Sequence, residues 1–430
     1  MDVYLNTLGC RLNEAELEHW QRELEAGGDR VVSRVEDAQV TVLNTCAVTH
    51  LAGRKSRQSI RQLHRKNPAS KLVVTGCYAV LDAEKIAEME GVDLVVDNLA
   101  KETLVSELRE KLDVESMPRM AQEPGTEGSH VYAATRTRAF LKIQDGCRNR
   151  CTFCVVTILR GDERSIPVET VIERVQALHG EGYQEVVLTG VHLGGYGSDI
   201  GSSLFDLVQR VLDETEVPRI RLTSLEPWDL PDNFFTLWRN PRLQPHLHLP
   251  LQSGCDQTLK RMSRRATVDS YKALVADARA NIPDLTLTTD LIVGFPGESE
   301  SEWSETLEMV QSVGFAHMHI FSYSAREGTK AARLRNHVSP DIKKARSREL
   351  HAVAAHMKES HLNAFVGQTR HVLFEGQSDV DEKGYRAYTG YTDNYLRVRV
   401  QVPKEEQLTN VIASVRLDAS TGQSLVGTLV

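Results

Sequence analysis

Residues 147–154 read Cys-Arg-Asn-Arg-Cys-Thr-Phe-Cys. This is a C-x-x-x-C-x-x-C spacing with an aromatic residue immediately before the last cysteine. A loop can wrap three thiolates round one corner of a compact cluster, which neither a strand nor one helical face can do. Three thiolates around a four-iron cubane leave one iron without a protein ligand. An iron with an open position can bind something that is not protein. Two alternatives are weighed against this. A structural zinc site is closed by four ligands, and no fourth Cys or His lies within a few residues of the run. Bacterial ferredoxin runs use another spacing and end in Cys-Pro.

The elements that must position this loop are legible around it. Ala139 to Gln144 reads as a buried strand, and Asp145-Gly146 turns the chain at its carboxyl end. Further strands are expected at 185–189, 219–224, 246–251, 285–293 and 317–323, with helices near 168–180, 203–213, 270–281 and 300–313. Six strands alternating with helices imply a parallel sheet curved into a partial (βα)6 barrel over 135–365. Active sites in such barrels lie at the carboxyl ends of the strands.

Three more cysteines follow strands in residues 1–112. The strands are Val3 to Thr7, Val40 to Asn44 and Leu72 to Thr75, and the cysteines are Cys10, Cys46 and Cys77. Amphipathic helices are expected at 13–25 and 54–65, which makes this region a doubly wound parallel-sheet domain. Its fold would bring all three cysteines to one edge. One cysteine after one strand is usually a small buried apolar residue. Three after three successive strands suit a second three-thiolate cluster site.

The run Cys147 to Cys154, with Phe153 before the last cysteine, resembles the radical S-adenosylmethionine (SAM) superfamily. The resemblance implies that SAM binds the open iron through its amino and carboxylate groups. An electron from the cluster then cleaves it to a 5′-deoxyadenosyl radical. Strand-end segments match that family in order. Thr189-Gly190-Val191 stands where the SAM amino group is held, although the usual Gly-Gly-Glu is absent. Ser224-Leu225-Glu226 is similar to the ribose-contacting segment, and Asp290 to Gly294 to the segment packing on adenine. Gln252 and Phe321 end further strands in the same set.

The stretches Thr7-Leu8-Gly9-Cys10, Asn44-Thr45-Cys46-Ala47-Val48-Thr49 and Thr75-Gly76-Cys77-Tyr78 are similar to the N-terminal domain of the methylthiotransferases. That family carries two 4Fe–4S clusters and attaches a methylthio group at an unreactive C–H position. The resemblance implies that Cys147, Cys151 and Cys154 serve radical formation and that Cys10, Cys46 and Cys77 serve sulfur delivery. Arg54-Lys55-Ser56-Arg57-Gln58 resembles the branch acting on N6-threonylcarbamoyladenosine (t6A) at position 37 of transfer RNA. A reaction driven this way also implies an electron donor such as a flavodoxin or ferredoxin.

Basic clusters bear on the partner. Arg54, Lys55, Arg57, Arg61, Arg65 and Lys66 stand together without an acid, suiting either a solvated helix face or phosphate contacts. Lys260, Arg261, Arg264 and Arg265 follow, then Arg333, Arg335, Lys343, Lys344, Arg346 and Arg348. These last two groups are expected to hold a polyanion across the barrel mouth, and the clusters after Cys46 and around Arg261 to Arg265 to offer a cation to the threonylcarbamoyl carboxylate. Residues 113–134 are breaker-rich and read as a linker. Residues 366–430 alternate apolar and polar, a small antiparallel β-barrel that resembles the RNA-binding TRAM domain. There Tyr388, Tyr391, Tyr395, Arg397 and Arg399 offer a stacking and cationic surface, with about half the tyrosines expected in the core.

Cys255 reads as an unligated thiol. His192, His246 and His248 read as structural histidines, with one of the strand pair His246/His248 expected to face outward. The chain has 430 residues, 41% hydrophobic and 26% charged, a net charge of −8 and seven cysteines. With no membrane-length apolar run and no leader-like start, the expectation is a cytoplasmic protein with no membrane partner and unpaired cysteines. The reading is a methylthiotransferase acting on t6A in the anticodon loop of transfer RNA. Alternatives are isopentenyladenosine, a ribosomal-protein side chain, or a non-catalytic metal-stabilised RNA-binding protein.

Overall fold

The computed structural model describes residues 1–112 and 137–430, and these form two compact units. The expected linker at 113–134 lies outside the described residues. In the first unit, strands β1 (Asp2–Thr7), β2 (Arg30–Val31), β3 (Val40–Thr45), β4 (Lys71–Gly76) and β5 (Val92–Val96) make one parallel sheet in the order β2-β1-β3-β4-β5. The edge strands β2 and β5 escape a sequence reading because two residues carry no period and Val-Asp-Leu-Val-Val is interrupted by its aspartate. Helices α1 (Arg11–Ala26), α2 (His50–Lys66), α3 (Cys77–Leu81), α4 (Ala83–Ala87) and α5 (Leu104–Lys111) cover it. Leu17, Trp20 and Leu24, on one stripe of α1, pack on Val3, Leu5, Val40 and Val42. The Thr49 hydroxyl caps α2 by accepting from the Ala52 N–H at 3.1 Å, removing one orphan donor of that helix. No described helix is long and apolar enough to cross a membrane.

The second unit holds the expected six strands. Strand β6 (Arg138–Lys142) leads into β7 (Gln144–Asp145); the chain then runs through the cysteine loop and the short helix α6 (Val156–Arg160), which groups with the first unit, before β8 (Arg164–Ser165) pairs back on β7. Then come α7 (Val168–Gly180), β9 (Glu185–Thr189), α8 (Leu204–Glu214), β10 (Arg219–Leu222) and β11 (His246–His248). Helices α9 (Asp256–Arg261) and α10 (Val268–Asn281), strand β12 (Thr286–Val293), α11 (Glu300–Val313), β13 (His317–Ser322) and α12 (Pro340–Asn363) complete it. The barrel strands run parallel in two groups, β6-β9-β10 and β11-β12-β13. Isolated bridges Ile220↔Leu243 and Ser224↔His248 join the groups, so the sheet is an open barrel in chain order.

The C-terminal strands β14 (Thr369–Gln377), β15 (Tyr385–Thr392), β16 (Arg397–Pro403), β17 (Ile412–Ser420) and β18 (Leu425–Leu429) close a barrel in the order β14-β15-β16-β18-β17. It is not wholly antiparallel: β16 and β18 pair in parallel. Closure removes both edges, and in this strand order that junction brings together two strands running the same way.

The tyrosines expected on its RNA face are elsewhere. Tyr388 is fully buried in the small barrel's core. Tyr391 and Tyr395 stack on each other at 4.7 Å and meet the central barrel at the first residues of its strands. The Arg138 guanidinium lies 4.8 Å from the Tyr391 ring and 5.3 Å from that of Tyr395, with Arg221 4.6 Å from the latter. Arg219 donates to the carbonyls of His371 and Tyr391, and Arg221 to that of Asp393. These rings therefore seat the small barrel on the end of the large one opposite the strand-end motifs. Arg397 and Arg399 remain exposed.

Beneath that seat Glu185 is 0% exposed. Its carboxylate accepts from Arg221 Nε and Nη2, each at 3.0 Å, with Arg138 at 3.8 Å and Arg219 at 3.9 Å. Burial alone would raise its pKa; Arg221 first, then Arg138 and Arg219, reverse that and hold it below the usual carboxylate range. Glu185→Gln leaves the guanidinium groups without their shared anion, so we expect a loss of about 3–5 kcal/mol at neutral pH, read by chemical denaturation. A depressed folded pKa means the contribution is complete above the unfolded value and lost only as pH falls through the folded one. The gap between parent and variant should therefore hold constant from neutral to mildly acid pH.

Candidate active site

Cys10, Cys46 and Cys77 each follow one of three adjacent parallel strands, β1, β3 and β4, whose registers pair Thr7 with Asn44 and Thr45 with Gly76. The three thiols are therefore delivered to one sheet edge. The approach is close enough to require glycine at two positions. A Cβ on Gly76 (φ +97°) would lie 2.4 Å from the Thr45 carbonyl oxygen, and one on Gly9 (φ +116°) 2.8 Å from Cys46 Cβ and 3.1 Å from its Sγ. The thiols influence one another: burial raises Cys46, the Val48 backbone N–H lowers it, and Cys10 and Cys77 raise it further. Cys10 keeps accessible surface yet stands among many protein atoms. That crowding raises its thiol, with Arg160 opposing. Three thiols at one edge, with those of Cys10 and Cys46 raised, fit a metal cluster, because ligation removes the protons that crowding otherwise retains.

The second set lies on the loop between β7 and β8. Its residues divide between the units: Gly146–Arg148 and Cys154–Asp162 group with the first, Asn149–Phe153 with the second. The Cys147 N–H donates to the Gly161 carbonyl at 3.0 Å, closing the base of the loop. Beside Cys151, Arg264 places Nη1 4.0 Å from the sulfur while pairing with Glu226 at 2.8 Å and lying 4.2 Å over the Trp228 ring. Thr152 is pinned on three sides: its N–H to Met262, its hydroxyl to Arg261, its carbonyl to Ala331. Phe153 meets Phe295 edge-on at 6.5 Å. A cation beside Cys151 and a backbone fixed at Thr152 suit a thiolate ligand loop.

His192 is the residue a sequence reading undervalues. Its side chain is 1% exposed, Nδ1 against Glu163 and Nε2 2.6 Å from Asp229. The same Nε2 lies 3.0 Å from the Asn149 amide, inside the cysteine loop. Its backbone N–H donates to Gln144 Oε1 at 2.9 Å, the same side chain a Cβ on Gly190 would strike. His192 thus ties the end of β9 to the loop. A lone histidine in sequence reveals none of this, since Glu163 and Asp229 lie in other segments.

The other strand-end residues fall along one rim. Thr189 is buried and bonds to the Val187 carbonyl, while Gly190 and Val191 are half-buried beside it. Ser224 bridges to His248. Gln252 has φ +72°, and its N–H bonds to the Asp290 carbonyl at 2.8 Å. Gly294 (φ +73°) donates its N–H to Glu298, and Lys343 occupies the space a side chain would need. Phe321 is 46% exposed at the end of β13.

His246 and His248 do not face opposite ways. Residues two apart on a strand share a face; His246 lies against Tyr395 at 4.7 Å, and His248 lies 3.3 Å from Asp290. His248, Asp290 and His319 each bring one donor atom within 4.8 Å of the others. Several expected polyanion contacts are also internal. Arg264 is spent on Glu226, Arg261 makes two bonds to Glu302, and buried Arg346 holds Glu298 and Glu300. Lys260, Arg265, Arg333, Arg335, Lys344 and Arg348 are exposed. So are all six cations of α2, with Arg57 also bonded to the Tyr78 hydroxyl at 2.6 Å.

Comparison with known proteins follows the same division. Residues 2–97 match the model of the uncharacterized protein family UPF0004, and residues 141–310 that of the Radical SAM superfamily. The chain is 37% identical over 405 residues to the threonylcarbamoyladenosine tRNA methylthiotransferase MtaB of Bacillus subtilis, covering 92% of this chain and 89% of that one. It is 36% identical to the protein of the same name from Thermotoga maritima, over 87% of this chain and 86% of that one. It is 32% identical to the tRNA-2-methylthio-N(6)-dimethylallyladenosine synthase of Staphylococcus aureus, over 99% of this chain and 84% of that one. Among solved structures, the radical SAM methyltransferase TsrM of Kitasatospora setae shares the fold with a TM-score of 0.58 at 13% identity, over 77% of each chain.

Cys255 is 1% exposed at the head of α9, and burial, reinforced by Glu305, raises its thiol. Thiolate is the reactive form. In metal-free reduced protein, alkylation followed by peptide mass spectrometry should therefore reach the half-exposed Cys147, Cys151 and Cys154 first. Cys255 should label last, and Cys46 only as pH rises above the usual thiol range.

Proposed function

Because this chain belongs to the radical SAM methylthiotransferases, a family using SAM and 4Fe–4S clusters and carrying two of them, we propose that it acts on transfer RNA. Its substrate is t6A at position 37 in the anticodon loop, and its product the 2-methylthio derivative. The observation that carries this reading is the meeting of Cys10, Cys46 and Cys77 at the carboxyl ends of three parallel strands, in a chain with a second three-cysteine loop on a barrel strand end. For the threonylcarbamoyl group, support comes from relatives of that name at 36–37% identity, against 32% for those named for the dimethylallyl nucleoside.

Each three-cysteine set would hold one cluster, Cys147, Cys151 and Cys154 the SAM-binding one. When bound, these groups supply sulfur and a one-electron route to an aromatic C–H bond that no side-chain base could deprotonate. The chain's own residues hold the parts in place. His192 and Asn149 fix the loop, and Arg264 sets a cation beside the Cys151 sulfur. The rim from Thr189, Gly190 and Val191 through Ser224, Glu226, Gln252, Asp290 and Gly294 to Phe321 is the candidate surface for SAM. The exposed cations of α2 suit phosphate contacts. With Arg261 and Arg264 committed to acids, Lys260 and Arg265 are the exposed cations left in that group for the carboxylate of t6A. An electron donor such as a flavodoxin or ferredoxin would serve the reductive step.

Anaerobic reconstitution should load about eight irons per chain, and replacing either cysteine set by alanine should halve that count. Transfer RNAs carrying the threonylcarbamoyl or the isopentenyl modification, presented to the loaded enzyme, then decide the substrate by nucleoside mass spectrometry. We expect the methylthio product from the first. Product from the isopentenyl nucleoside alone would overturn the assignment.

A further inference from the structure

Under the first cysteine set lies a charged group closed to water. Glu16, Lys101 and Arg160 are 2%, 1% and 2% exposed. Arg160 donates through Nη1 to Glu16 Oε1 and through Nη2 to Asn13 Oδ1, both at 2.9 Å. Lys101 donates to Glu16 Oε2 at 2.6 Å and to Asn44 Oδ1 at 3.0 Å. Asn13 in turn accepts from the Cys10 thiol at 3.8 Å. Two cationic side chains and one carboxylate thus meet out of contact with water. Burying charge is costly unless an opposite charge is near.

The Cys10 sulfur reaches this group through Asn13 Oδ1, the atom that also accepts from Arg160. A dicationic four-iron core held by three thiolates carries one negative charge, which a neighbouring guanidinium would offset. Of the two cations, Arg160 is the one whose charge is permanent. Burial presses Lys101 toward its neutral form, with Glu16 opposing and Arg160 adding to the pressure.

Arg160 comes from an unexpected part of the chain. It ends α6, six positions beyond Cys154. Val155 and Leu159 pack in one core with Cys77, Tyr78 and Ala79. The Leu159 carbonyl accepts from Asn98 Nδ2 at 2.8 Å, and that same nitrogen lies 4.0 Å from Cys77 Sγ. The segment that leaves the second cysteine loop is thus built into the floor of the first site.

We propose that Arg160 is the charge-compensating positioning residue of the Cys10, Cys46 and Cys77 site, and that it sets the reduction potential of the cluster held there. This rests on the reading that those cysteines hold a cluster. Net charge and hydrogen bonding around the sulfurs tune such potentials. Removing a nearby cation disfavours the reduced form, and removing a nearby anion favours it.

The test uses the full chain with Cys147, Cys151 and Cys154 replaced by alanine, so that one cluster remains, followed by redox titration monitored by electron paramagnetic resonance. Arg160→Gln should shift the reduction equilibrium at least tenfold toward the oxidised form, about 59 mV downward for a one-electron couple. Arg160→Lys should retain most of the parent value, and Glu16→Gln should move it upward. Opposite signs from two neighbouring substitutions cannot come from general damage. Unchanged potentials in both Arg160→Gln and Glu16→Gln overturn the proposal. If Arg160→Gln takes up no iron, Glu16→Gln decides: an upward shift supports the proposal and any other result overturns it. A parent that binds no iron removes the cluster reading itself, and this proposal with it.

Discussion

Parallel strands end together, and the chemistry of this protein depends on that constraint. A parallel sheet puts the carboxyl ends of its strands on one edge, where the backbone leaves ladder pairing and side chains can converge. The first unit uses the rule to gather Cys10, Cys46 and Cys77 from positions far apart in the chain. The second uses it to line up a rim from Thr189 to Phe321. The glycines at 9 and 76 follow from it, because thiols that meet at one edge force the backbones beneath them into contact.

Strand ends position residues only coarsely, and buried polar contacts do the finer work. Three such groups recur: the ion pairs of Glu185 with three arginines and of Glu16 with Lys101 and Arg160, and the contacts of His192 with Glu163 and Asp229. Each lies where segments distant in sequence must keep a fixed relation. Ion pairs closed to water demand good geometry, since removing one partner leaves the other buried and unmatched. The cost of disturbing them is what fixes the loops. The seat of the small C-terminal barrel shows the same logic, with guanidinium groups held under two stacked tyrosines and bonded to the carbonyls of the chain beside them.

This arrangement also sorts the protein's cations. Those of α2 stand exposed along one helix that begins shortly after Cys46. Arg138, Arg160, Arg219, Arg221, Arg264 and Arg346 are instead turned inward onto carboxylates. The surface of α2 is basic in a protein of net charge −8 because its six cations are clustered with no acid among them.

The sequence by itself determined the two cysteine sets and the order of the elements that carry them. Cys147, Cys151 and Cys154 lie within one short loop, so local spacing alone declares them. The strands before Cys10, Cys46 and Cys77 are short β-branched runs with a period that needs no tertiary context, and α7 and α11 announce themselves in the same way. What tertiary structure decided was the fate of individual charges and rings. Arg160 meets Glu16 across 144 positions, and Arg221 meets Glu185 across 36; no local window contains both partners. Tyr391 and Tyr395 look like a stacking surface until the strand starts of the central barrel are laid against them. A side chain's type and period are properties of its own segment. Whether it faces water, an acid or a sulfur depends on which distant segment packs against it, and packing is settled only when the whole chain has folded.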